Sequence, residues 1–364
     1  MWPARRLLLL VPILLAACSL PYRPGVVVRG SASFPGIAGL VAASGGKPVD
    51  VLVVHGMCTR DAAWAEDRIA AIAGTVGAHA PASRAPAAGN GIEVIERTQP
   101  LAGGTVRFHA LVWSPLTAPL KRRLDYDRTA TPTDCAADAE CKPVRALLNG
   151  MVKDRLLDDC LSDVLVYEGA AGAAIRTAMV DTVARVLAAQ ADDDGPLAVV
   201  AESLGSKMLF DTLSAMLASP EPATRELGRR AAQRLGLLFM AGNQLPLLGL
   251  GALPLGTQPA RADTDSDALQ RFLALRRQSP GGRDGGFRRL NLVAFSDPND
   301  VLSYQLLPAR YAAPDVAVAD VLVSNARTWF GLVENPVAAH LGYLENPEVG
   351  RLIACGFPEM AGCR

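Results

Sequence analysis

The chain has 364 residues, with 36 basic side chains against 36 acidic ones; half of it is hydrophobic and 20% is charged. That much apolar material excludes intrinsic disorder, and a zero net charge lacks the basic footprint of a nucleic-acid binder. At ~150 residues per domain the length allows two domains, and one large α/β unit carrying insertions fits equally.

Residues 1–17 read as a targeting label. Arg5 and Arg6 precede an almost wholly apolar stretch, Leu7 to Leu15, and small Ala16 and Ala17 lead to Cys18. The apolar stretch falls short of the ~20 residues a membrane-spanning helix needs. Leu15-Ala16-Ala17-Cys18 resembles the bacterial lipobox, in which cleavage exposes a cysteine that is then acylated. The resemblance implies export, lipidation at Cys18 and anchoring in the cell envelope. Ser19 after the cysteine resembles the sorting pattern for the outer membrane, which would put the body on its periplasmic face. An ordinary signal peptide with an incidental cysteine is the alternative. Several acyl chains hold a protein to a bilayer, whereas one is marginal.

Beyond Cys18 lie six more cysteines: Cys58, Cys135, Cys141, Cys160, Cys355 and Cys363. An even number in an exported chain reads as disulfides, with fifteen possible connectivities. The short loops Cys135–Cys141 and Cys355–Cys363 are the natural pairs, which would leave Cys58 with Cys160. No zinc-type Cys/His spacing occurs, so no metal site is expected.

In chain order, residues 18–47 are rich in Gly, Ser, Pro and Ala and read as a tether. Residues 48–364 then read as one α/β domain. Val51-Leu52-Val53-Val54 is a continuous β-branched run, the mark of a strand buried on both faces. A helix follows over 59–75, then strands at Gly91–Glu96 and Thr105–Trp113. At about 114–165 the character changes to a charged loop and a helical stretch, read as an insertion beside the sheet. Further helices are expected over 170–190, 205–217 and 222–234, and strands at Pro196–Val200, Leu235–Met240, Leu290–Phe295 and Val318–Val323. Apolar strands alternating with helices predict a mostly parallel sheet covered on both faces.

The strongest chemical signal is Val199-Val200-Ala201-Glu202-Ser203-Leu204-Gly205, a strand running straight into a helix. A serine at such a turn needs tiny neighbours two residues on either side, as in the nucleophile-elbow pattern G-x-S-x-G. Ser203 is therefore a candidate nucleophile, although serine is also a favoured helix cap. A serine hydroxyl needs a base. Of the four histidines, His79 reads as surface and His109 as a packed sheet residue. His55 follows a strand in His55-Gly56-Met57, where the next N–H can serve an oxyanion. His340, near the C-terminus, is the best base. Its carboxylate partner would come from Asp297-Pro298-Asn299-Asp300, with Asp300 favoured and Asp297 the alternative.

These residues, in the order Ser203, Asp300, His340, resemble the α/β-hydrolase superfamily over roughly Val49 to Gly356. The resemblance implies an α/β-hydrolase fold and attack by Ser203 on an acyl carbonyl. It also implies proton transfer by His340 and an oxyanion hole from the N–H groups of Met57 and Leu204. The departures are Ala201 in place of glycine and a glutamate, Glu202, directly before the nucleophile. The implied activity is cleavage of a lipid or small ester through an acyl-enzyme, with no cofactor. Acyl transfer, or thioester or amide cleavage, would use the same triad, and a non-catalytic envelope lipoprotein would keep the fold without it. The Leu-rich segment Asn243–Leu255 is expected either to form an apolar rim for an acyl chain or a membrane surface, or to pack on the core. Arg276, Arg277, Arg283, Arg288 and Arg289 read as a solvated loop.

Overall fold

The computed structural model describes residues 26–75, 83–84, 91–101, 103–129, 145–190, 195–253, 255, 267–279, 289–329, 331–360 and 363. Ten strands concern us here: β1 (Val27–Gly30), β2 (Phe34–Pro35), β3 (Val49–Val54), β4 (Ser83–Arg84), β5 (Glu93–Leu101), β6 (Gly104–Val112), β7 (Leu197–Glu202), β8 (Leu235–Ala241), β9 (Leu290–Ser296) and β10 (Val316–Leu322). All but β2 form one nine-stranded sheet in the order β1-β10-β9-β8-β7-β3-β6-β5-β4. From β10 to β6 neighbours run parallel; β1, β5 and β4 are antiparallel additions at the edges. The chain is thus an α/β protein with a mostly parallel central sheet.

The inner strands are continuous apolar runs because each face feeds a separate core. Leu197, Val199 and Ala201 of β7 join the layer of helices Gly172–Ala188, Leu204–Leu217 and Ala268–Gln278. Ala198 and Val200 face the opposite way, toward helices Ile37–Ala42, Ala62–Gly74 and Pro347–Cys355. A strand buried on both sides reads as unbroken hydrophobicity rather than alternation.

One expectation changes. Residues 18–47 are not all tether: from Val27 the chain adds β1 to the edge of the sheet, paired with β10, and then forms β2 and the helix Ile37–Ala42. The small residues suggested a linker, but the run Val26-Val27-Val28 supplies enough β-branched backbone to pair. The expected strands at Gly91–Glu96 and Thr105–Trp113, joined through Gly103-Gly104, form an antiparallel hairpin whose first strand runs on to Leu101. Residues 1–25, with Cys18, and His79, Cys135, Cys141, Arg283 and Arg288 lie outside the described residues. Cys58–Cys160 and Cys355–Cys363 are paired as disulfides. Of the segment over 114–165, the described residues form short helical turns over Ser114–Asp127 and the start of the helical stretch Leu147–Glu168.

Candidate active site

Parallel strands end together, so residues that follow them share one end of the sheet. Ser203 follows β7, Asp300 follows β9 and His340 lies beyond β10 in the short helix Pro336–Leu341. The three meet there. Ser203 Oγ lies 3.0 Å from His340 Nε2, and His340 Nδ1 lies 2.8 Å and 3.0 Å from the two Asp300 oxygens.

Ser203 adopts φ 52°, ψ −124°, in the left-handed region that side chains avoid. Its neighbours must be small. A Cβ on Gly205 would lie 2.3 Å from the His55 carbonyl oxygen, and Ala201 is fully buried. Alanine therefore suffices at the first small position, while the second tolerates nothing beyond glycine. Among the described residues, Cys58 is the only other non-glycine at positive φ, and it sits in the loop facing this elbow. Strain of this kind persists only where the surroundings over-determine it.

Asp300, rather than Asp297, faces the histidine. Burial raises the Asp300 carboxyl, but hydrogen bonds from His340, the Leu302 N–H (2.9 Å) and the Tyr343 hydroxyl (3.0 Å) outweigh it and hold it below the usual range. Asp297 instead accepts the N–H groups of Asn299 (2.9 Å) and Asn325 (2.6 Å) and shapes the turn. Burial leaves its carboxyl above the usual range. Tyr343 was not foreseen as part of the site. Its oxygen also accepts the Asp297 N–H at 2.8 Å, tying both acids to one side chain. Its spacing of three residues from His340 was the available signal.

The loop after β3 is held donor by donor. His55 is buried and stacked on Trp113; its Nδ1 lies 2.7 Å from the Gly56 carbonyl oxygen, and its Nε2 accepts the Trp113 N–H at 3.1 Å. Desolvation lowers its pKa to about 3, so it is a neutral positioning group. The Gly56 N–H is given to Glu202. Those of Cys58, Thr59 and Arg60 go to Asp163, Asp159 and Ser114. The N–H of buried Met57 has no partner among the described residues, and neither has that of Leu204 at the start of its helix. A buried orphan donor is rare, and here two flank Ser203.

Glu202 is fully buried. Desolvation raises its carboxyl above the usual range, opposed by the charges of Arg60 and His340 and by the Gly56 N–H. Its carboxylate thus fastens the Met57 loop to the elbow, a role its position beside Ser203 did not reveal.

His109 is a sheet residue, as expected. It lies 3.3 Å from Asp50 and 3.1 Å from Glu96, and despite burial those partners raise its pKa. Among the described residues, the one close grouping of three metal-ligating types, Cys58 with Asp159 and Cys160, has both sulfurs in a disulfide and so offers no thiolate. The Leu-rich segment divides between its two readings: Leu245 and Leu248 are buried, whereas Leu247, Leu250 and Leu253 are exposed. Arg276 and Arg277 pair with Asp315.

Compared with family models, with curated proteins and with solved structures, the chain matches none.

Proposed function

We propose that the chain is a serine hydrolase of α/β-hydrolase fold that cleaves carboxylic esters through an acyl-enzyme. One observation carries this: the unbroken hydrogen-bonded series Ser203–His340–Asp300, set on a strained strand-to-helix turn. The strand order supports it, because β3 with its orphan-donor loop lies beside β7 with its elbow, and β8, β9 and β10 follow outward.

In this reading Ser203 Oγ attacks the ester carbonyl and His340 Nε2 takes its proton. Asp300 keeps the other ring proton on Nδ1 and stabilises the imidazolium. The Met57 and Leu204 N–H groups receive the oxyanion; one such donor is worth ~3 kcal/mol of barrier. His340 returns the proton to the leaving alcohol, then activates the water that releases the acid. The lipobox resemblance supports a chain anchored through Cys18.

A chromogenic ester tests the mechanism. An acyl-enzyme should give a burst of leaving group equal to the enzyme present, absent in Ser203→Ala. The rival, an envelope lipoprotein that binds without catalysis, draws on the burial of Ser203 and His340, each 2% exposed. A soluble chain that gives neither burst nor turnover would favour it.

A further inference from the structure

We infer that the end of the sheet bearing Ser203 faces the bilayer that anchors the chain, so that its ester substrate is supplied from that bilayer. The inference rests on the hydrolase and lipobox readings above. It begins with the direction of β1. That strand runs antiparallel to β10, with Val27 opposite Leu322, the last residue of β10. The chain therefore enters the fold at the end of the sheet where Ser203, Asp300 and His340 meet. Val27 lies nine positions after Cys18, a reach of about 30 Å at full extension. Much of that reach would be used in running back along β10 to the opposite end.

The surface at the triad end suits a lipid partner. The loops after β8, β9 and β10 expose Leu247 and Leu250, Val301, and Trp329 and Leu332, the last of them 84% exposed. No charged residue occurs in Asn243–Leu255, Val301–Leu307 or Thr328–Val333, although a fifth of the chain is charged. The loops are joined to one another: the Tyr304 N–H donates to the Asn243 oxygen at 2.8 Å, and Asn299 Nδ2 donates to Glu334 at 2.6 Å. Separate apolar loops around one mouth, beside a short lipid tether, fit a bilayer surface.

The test uses the mature chain, its acylated Cys18 verified by mass spectrometry, in phosphatidylethanolamine–phosphatidylglycerol vesicles whose acyl chains are brominated. Trp329 is 48% exposed while Trp64 and Trp113 are buried. Brominated lipid should quench emission, and Trp329→Phe should abolish that quenching. In a second arm, Leu332→Asp with Val333→Asp, 84% and 63% exposed in the parent, should leave turnover of a soluble short-chain ester unchanged. Turnover of a long-chain ester embedded in the vesicle should fall at least ~100-fold, the scale set by withdrawing two large apolar side chains from an apolar interface. An unquenched Trp329, an unacylated Cys18, or a double variant that handles both esters like the parent overturns the inference. Quenching needs no turnover, so a chain that docks but cleaves no ester would sink the hydrolase reading while leaving the orientation standing.

Discussion

Replacing Asp300 by asparagine keeps its size and packing but turns one acceptor into a donor. Every neighbour of that carboxylate is a donor: His340 Nδ1 reaches both oxygens, the Tyr343 hydroxyl shares the nearer one and the Leu302 N–H the other. The amide must therefore set its NH₂ against the Leu302 N–H or against the imidazole. In the second arrangement the ring proton moves to Nε2, which can no longer accept from Ser203. Loss of the correct tautomer costs ~10⁴ in turnover in a triad of this kind, or about 5 kcal/mol of barrier. Asp297→Asn, whose parent serves only two backbone N–H groups, should cost about tenfold or less. Burst-phase rates with a chromogenic ester, beside thermal melts to verify folding, separate the two. A folded Asp300→Asn chain that keeps a tenth of the burst rate, or an equal loss in both variants, would refute the assignment.

Three further outcomes are expected. Gly56→Ala places a methyl 2.7 Å from the Ser203 Cβ and 2.9 Å from the Glu202 oxygen; displacing the Met57 donor should lower the burst rate ~10²-fold, in line with loss of one oxyanion contact. Cys58→Ser opens a disulfide spanning 102 residues, and urea unfolding should show a loss of about 2–4 kcal/mol. His55, with its folded pKa lowered to about 3 from 6.5, takes up a proton in the unfolded chain first. Its contribution to stability is complete above pH 6.5 and is lost as the pH falls toward 3, at up to ~1.4 kcal/mol per pH unit. Raised carboxyls at Glu202, Asp297 and Glu334 act in the opposite sense. The clean comparison is therefore unfolding free energy against pH for the parent and His55→Gln; parallel curves would mean that His55 does not titrate as its burial requires.

Much of the architecture was legible because the inner strands are buried on both faces. Val51–Val54, Val199–Val200 and Leu235–Met240 announce themselves as unbroken apolar runs, and small residues around Ser203 mark a turn whose backbone passes close to β3. The edges were less legible. β1 is a half-exposed strand in a Gly- and Ser-rich stretch, and only its partner β10 makes it a strand. The antiparallel direction of β5 is likewise a property of the hairpin rather than of its residues. At the site, the choice between Asp300 and Asp297 depends on a turn that no local pattern resolves. Tyr343, Glu202 and Asp163 act through contacts across the fold; Asp163 reaches Cys58 from 105 positions away. His55 looked like a loop donor's neighbour and is instead the buried post on which the loop rests.

Fluorophosphonate labelling of the mature chain, with the modified peptide identified by mass spectrometry, tests the central claim most directly. A single adduct on Ser203, absent from Ser203→Ala and slowed in Asp300→Asn, is the expected result. A folded chain that stays unlabelled where a control hydrolase reacts, or that carries the adduct on another residue, would contradict it.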